Sequence, residues 1–333
     1  MTSSLVPEPA GIASVPMLRA PSDRRNRILS AAAIWVVLAI LIVAASLVSP
    51  NFLTTRNLTV LLKQAAPLGV LAVGQTIVIL TGGIDLSVAS VMATVSIFAA
   101  GITNGREELV WPVVAFCLVF SAAVGLANGL IVTKLKIPPF IATLGMILIV
   151  QGIRFSYSGG TPKTYIPDVL RFWGRDSIGP VPMALITWLL IAGIATFVLA
   201  RTTFGRRLYA VGGNVRAAYL AGVSVDRIKI AAYTVCSFLA GIAGLVLVGY
   251  VGTADNWLGE GYELNAIAAV VVGGAAFEGG KGSQLGTIGG VLILTVLFNL
   301  VLMLQFQEES RRIVKGLVIL FAVALYARLR TRR

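Results

Sequence analysis

An all-α bundle of membrane-crossing helices is the fold class that this sequence predicts, on three observations. Of its 333 residues, 57% are apolar and only 12% are charged, about half the charge of a soluble domain. The apolar residues gather in long runs, without the short alternating segments of a β-barrel. The 27 Lys and Arg residues lie mostly between those runs. No sphere of this size hides so much apolar surface from water, so its outer face meets lipid.

Ten runs follow in order: Ser30 to Val48, Ala65 to Leu80, Val88 to Thr103, Leu109 to Thr133, Phe140 to Ile153, Met183 to Ala200, Ile228 to Tyr250, Leu264 to Phe277, Gln284 to Met303 and Arg312 to Leu329. A crossing helix needs about 20 apolar residues. Ala65 to Leu80, Phe140 to Ile153 and Leu264 to Phe277 fall short of that, and glycine pairs follow two of them. Short runs of this kind predict broken helices held inside protein. Residues 30–329 form one transmembrane domain. Ahead of it, residues 1–29 carry Pro7, Pro9, Pro16, Pro21 and the cluster Arg24, Arg25 and Arg27, which predicts a disordered tail without a signal-peptide cleavage site. Residues 330–333 make a short basic tail.

The net charge of +13 would suggest nucleic acid in a soluble protein; between membrane spans it sets orientation instead. With the N-terminus inside, the inner segments hold 17 of the 27 positive residues. Both termini are therefore expected in the cytoplasm, together with the loop of residues 201–229, which holds six of those charges. The outer stretch from Arg154 to Pro182 carries Tyr157, Tyr165, Phe172 and Trp173 and reads as an interfacial cap or docking surface.

Chemistry by this chain itself is excluded on composition. There is no His, and Cys117 and Cys236 both sit inside apolar runs, which leaves neither a metal site nor a disulfide framework. Gly279-Gly280-Lys281-Gly282-Ser283 imitates the end of a phosphate-binding loop but has Ala275 where the first glycine belongs and Gly282 where Ser or Thr should follow the lysine. The acids are scattered, and no nucleophile has a His to activate it.

Candidate functional residues lie in two places. In Thr81 to Ser87, Gly82 and Gly83 allow a sharp break, and either Asp85 or Ser87 accepts from the exposed amides of the next helix or Asp85 lines a path for a polar substrate. Glu278 to Ser283, with Gly279 and Gly280, forms a weak echo of that segment. Ten crossings permit an inverted repeat. Within the runs, Gln75, Asn128, Thr143, Gln151 and Asn299 are polar and uncharged, suited to interhelical hydrogen bonds or to passing a hydroxyl-rich solute. Asp85, Asn128 and Asn299 are the candidates for the pathway. In the basic loop, Asn214 caps a short helix from Val215 to Ala221 and Gly222 ends it, so a small amphipathic helix sits on the cytoplasmic face.

Gly82 to Val88, Leu135 to Met146, Gly261 to Gly274 and the Gly-Gly-Lys-Gly segment from Gly279 to Gly282 resemble the ribose-type sugar permeases of bacterial ABC importers, over roughly residues 30–325. The resemblance implies a transport subunit of the inner membrane with ten helices, similar to the cobalamin permease. It implies pairing with a second copy or homologue, cytoplasmic ATPase subunits that hold ATP and magnesium, and a periplasmic sugar-binding protein. No cofactor is implied for this chain, and no nucleic acid. Gly213, Asn214, Arg216, Ala217, Ala218 and Gly222 match the helix that seats in the ATPase. Family members often carry an acid before the two alanines, where this chain has Arg216, which implies a matching change in the ATPase or a partner permease that keeps the acid. Branched-chain amino-acid permeases, which are relatives, tend to show asparagine where Asp85 stands, so Asp85-Leu86-Ser87 leans towards a pentose, hexose or related polyol. A proton- or ion-coupled secondary transporter is the alternative, with Asp85 as its relay.

Overall fold

The computed structural model describes residues 23–305, with side chains from residue 33 onward, and scattered positions between 310 and 320. Helices carry this part of the chain: α1 (Asp23–Val48), α2 (Thr55–Leu80), α3 (Val88–Thr103), α4 (Val110–Lys134), α5 (Pro139–Ser158), α6 (Asp168–Arg175), α7 (Met183–Arg201), α8 (Thr203–Gly213), α9 (Val215–Leu220), α10 (Val225–Val251), α11 (Tyr262–Val272) and α12 (Gln284–Met303). One small antiparallel pair joins Ser177–Ile178 to Val181–Pro182.

α2, α4 with the turn ahead of it, α5, α7, α10 and α12 are long and apolar enough to cross a membrane, and Ala33–Val48, α3 and α11 are shorter apolar helices. These nine fall on the first nine expected runs. The tenth, Arg312 to Leu329, lies largely outside the described residues, as do residues 1–22 and 330–333. α1 begins at Asp23, ahead of the expected Ser30.

Two expectations of short, broken spans are corrected. α2 has 26 residues and runs without interruption through Pro67, its first turn capped by the Thr54 hydroxyl; α5 has 20. Apolar runs stop at Lys63 and Gln64, but backbone hydrogen bonding does not, and a polar flank extends the helix at no cost. Only α11 remains short among those three, with 11 residues, or about 16 Å at 1.5 Å per residue.

The bundle is built around α10, which touches α2, α3, α4 and α6. Small residues allow this. A Cβ on Gly129 would lie 2.7 Å from the Ile230 backbone, and one on Gly125 would overlap the Tyr233 carbonyl, so α4 and α10 meet along a glycine seam. α2 is buried along most of its length, whereas α5 and α7 expose Leu148, Ile149, Leu190 and Phe197, a surface suited to lipid or a partner helix.

The two ends of the bundle differ in charge. One end gathers residues 81–87, 135–138, 202–224 and 273–283, tied together by Gly280 N donating to the Leu80 carbonyl (3.0 Å), Tyr209 to the Gly282 carbonyl (2.9 Å) and the ion pair Lys134 to Asp226 (2.7 Å). It carries Arg206, Arg207, Arg216, Arg227 and Lys229. The other end mixes Arg106, Lys163 and Arg171 with Glu107, Glu108, Asp168 and Asp255. There α6 lies across the end of α10, Gly174 against Gly249, and Lys163 pairs with Ala254. Both glycine segments of the expected echo lie at the basic end. An inverted repeat relating them would place them at opposite ends, so they are not its halves.

The segment that joins α10 to α11 leaves the second end and descends. Ser96 donates to the Gly244 carbonyl (3.1 Å), which fixes α10 beside α3, and from there α10 rises another two turns to Val251. A Cβ on Gly259, eight residues later, would meet Met92 at 3.6 Å and the Ala89 carbonyl at 3.8 Å. The chain has come back by about 15 Å of helix rise, and α11 starts inside the bundle as a half-length helix.

Candidate functional site

The short helix α9 forms where the sequence predicts it, over Val215–Leu220. Asn214 accepts from Ala217 N at 2.9 Å, and Gly222, at φ +78°, closes it with its N–H on the Tyr219 carbonyl. Ala218 is buried; Arg216 and Ala217 are exposed. Tyr219 and Leu220, 71% and 77% exposed, give the helix an apolar tip.

α9 is bonded rigidly to the bundle through α8, whose last residues are Gly212 and Gly213. A Cβ on Gly212 would overlap the Leu80 carbonyl oxygen and come within 2.5 Å of Gly280 N; one on Gly280 would lie 2.7 Å from the Gly213 backbone; one on Gly279 would lie 2.7 Å from Gly82 N. Gly82, Gly279 and Gly280 all have positive φ, a backbone that other residues resist. Three chain segments thus meet backbone on backbone, with no side chain between them to yield. α2 closes at Thr81 and Gly82, whose N–H groups return to Val78 and Ile79. Gly83 has a different reason to be glycine, because its Cβ would sit 2.5 Å from the Tyr233 hydroxyl.

Asp85 follows directly, wholly buried. One carboxylate oxygen accepts from Ser87 N (2.9 Å) and Ser87 Oγ (2.6 Å); the other accepts from Ser237 Oγ (3.4 Å). Asn128 Nδ2 donates to Ser87 Oγ (2.9 Å) and reaches Asp85 at 3.5 Å. In the amide orientation that pairs both of its ends, Gln75 holds the Asp85 backbone at 3.1 and 3.3 Å. Tyr233 donates to the Ile84 carbonyl (3.3 Å). Asp85 does not cap α3 itself: Ser87 is the N-cap residue and makes no side-chain cap bond, so the carboxylate closes a turn one step ahead of the helix. Among the described residues no cation pairs with it.

The structure therefore joins Asp85 and Asn128 in one network and separates Asn299 from them. Asn299 forms a reciprocal amide pair with Asn57 (3.1 and 3.0 Å), near the far end of α2, about 35 Å of helix rise from Asp85. Ser87, named beside Asp85 as the alternative helix cap, completes the network with Ser237 and Tyr233; the last two were not selected from sequence, where a lone hydroxyl in an apolar run carries no signal. Among the described residues, no cluster of His, Cys, Asp or Glu could hold a metal ion.

The pattern of the permease component of branched-chain amino acid transport systems matches residues 57–323. The chain is 42% identical over 293 residues to the ribose import permease protein of Escherichia coli, covering 86% of this chain and 91% of that protein. It is 41% identical to the ribose import permease protein of Bacillus subtilis, covering 86% and 90%, and 33% identical to the galactose/methyl galactoside import permease protein of E. coli, covering 88% and 92%. No solved structure matches it.

Proposed function

The chain belongs to the permease-component family of the branched-chain amino acid transport systems, and on that premise we propose that it is the membrane subunit of an ABC importer for a pentose, hexose or related small polyol. It is a multi-pass transport subunit and not an enzyme; ATP is hydrolysed on partner ATPase subunits. We infer further that ten helices per chain, in a fold similar to the cobalamin permease, pair with a second copy or homologue, and that a periplasmic binding protein delivers the sugar.

The observation that carries this is mechanical: α9 presents an exposed tip at the basic end and is joined, backbone to backbone, to the turns that hold Asp85. We infer that the basic end faces the cytoplasm, with residues 201–229, 1–29 and 330–333 on the ATPase side. Closure of the ATPases, with ATP and magnesium bound there, pushes α9 and biases a two-state equilibrium between outward- and inward-open forms. Gly82, Gly83, Gly279 and Gly280 carry the motion, and Asp85, Asn128 and Asn299 face the pathway in one or other form. A proton- or ion-coupled carrier is the second reading, favoured by the burial of Asp85 without a cation.

Leu220→Arg tests the first. Purified in detergent with its ATPase, the wild type retains the partner; the variant should lose it, while circular dichroism stays unchanged because Leu220 is largely exposed. Retention of the ATPase by the variant would overturn the lever. Ribose uptake driven by a proton gradient in vesicles free of ATPase would establish the second reading.

A further inference from the structure

The descending segment meets α5 and α3 in a corner that holds buried polar groups in excess of their partners. Arg154 is 4% exposed and Asn256 is 3% exposed. Nε of Arg154 and Nδ2 of Asn256 have no hydrogen-bond partner. The rest of each side chain is fixed: Arg154 Nη1 donates to the Ser90 carbonyl (3.3 Å), and Asn256 Oδ1 accepts from Ser158 Oγ (2.9 Å). Arg154 and Ser158 are one turn apart on α5, with the Arg154 head directed inward and Asn256 held at the helix end. Beside them, Trp257 stands edge-on to Phe155 with ring centroids 5.9 Å apart, and Trp257 is 59% exposed.

The corner lies deep. Arg154 is four residues from the end of α5, and helical side chains lean towards the N-terminus. Its guanidinium ends on Ser90, whose hydroxyl bonds Ile147 (3.2 Å), about 10 Å of helix rise further in. A buried donor without an acceptor costs more than an exposed one, and a guanidinium more than an amide. Among the described residues Arg154 has no carboxylate at ion-pair distance. Oxygen atoms of water or of a solute satisfy such groups. A half-length helix that begins inside a membrane bundle is where transporters place such a ligand.

The geometry points to a binding site for a neutral, hydroxyl-rich solute at this corner, on the importer pathway, so it rests on the function proposed above. Hydroxyl oxygens of the solute accept from Arg154 Nε and Asn256 Nδ2, and the aromatic face of Trp257 covers its C–H surface. An uncharged ligand with several hydroxyls fits two separated donors and one flat apolar wall. A carboxylate ligand would meet a single cation beside an amide already turned to Ser158. Ser90, which holds Arg154, is one turn of α3 from Ser87, so the site adjoins the Asp85 network.

The full transporter, permease with its ATPase and binding protein in proteoliposomes, tests this with labelled ribose and galactose as probes and with 2-deoxyribose as competitor. For Asn256→Ala and Arg154→Lys, sugar imported per ATP hydrolysed should fall roughly tenfold, the worth of one hydrogen bond to a charged or buried group, and the preference for ribose over 2-deoxyribose should weaken. ATP hydrolysis stimulated by the binding protein should persist. Trp257→Ala, at an exposed position that does not endanger folding, should lower import of the probe in the same ratio, and Trp257→Phe should restore it. Unchanged import and unchanged competition in Asn256→Ala and Trp257→Ala would overturn the site and leave water as the partner of both donors. Failure of the importer function itself is distinct: the wild-type vesicles would then take up neither sugar in response to ATP.

Discussion

The glycine junction at the basic end and the polar corner around Arg154 solve opposite problems. At the junction, Leu80, Gly212 and Gly280 bring backbones so close that no side chain fits between them, and the N–H groups of Thr81, Gly82, Gly279 and Gly280 return to carbonyls. Such a contact is stiff and transmits displacement. At the corner, side chains fill the space but leave donors over, and what they lack must be supplied. A transporter needs both: a part that moves as one body with its motor, and a part that remains unsatisfied until its cargo arrives.

The largest expected effect comes from breaking the junction. Gly212→Val places a branched side chain into the Leu80 carbonyl, and overpacking of this kind costs about 3 kcal/mol, read as a lower melting temperature in detergent and as loss of sugar uptake coupled to ATP. A melting curve equal to that of the wild type would mean that the segments part easily and do not form a stiff link. Next comes the network beside it. Asn128→Ala leaves Ser87 Oγ with one partner fewer and opens a buried void, a loss of about 2 kcal/mol; an effect within error would remove Asn128 from any role in holding the 81–87 turn. Smallest is Gly152→Ala, on the open face of α5 two residues before Arg154. A Cβ there meets nothing within 4 Å, so the variant should gain up to about 1 kcal/mol from helix propensity. Destabilisation instead would identify a close neighbour of α5, a second copy of the chain foremost, and would sharpen the contrast between a glycine that is needed for contact and one that is not.

Much of this was legible in the chain. The runs Val88 to Thr103 and Gln284 to Met303 coincide with α3 and α12, because a change from apolar to polar residues marks a helix end wherever that end is also a membrane boundary. Asn214 and Gly222 set the limits of α9, since capping is local chemistry. α2 was legible only in part: its first turns are polar, and they stay helical because the backbone demands it. The descent from Val251 to Gly259 left no sequence signal, because its residues are ordinary loop residues, and what places them deep is their contact with Met92 and Ala89.

The pairing of sites divides in the same way. The sequence by itself determined that the chain lives in lipid and carries one strongly basic loop, because these follow from sums over residues and from their order along the chain. Asp85 and Asn128 were recognisable as polar groups in apolar surroundings, but only packing decided that they bond to each other and that Asn299 bonds to Asn57 instead. Hydrogen bonds between residues 43 or 242 positions apart depend on which helices become neighbours. That choice was made by small residues such as Gly125 and Gly129, whose effect is visible only when another backbone lies against them.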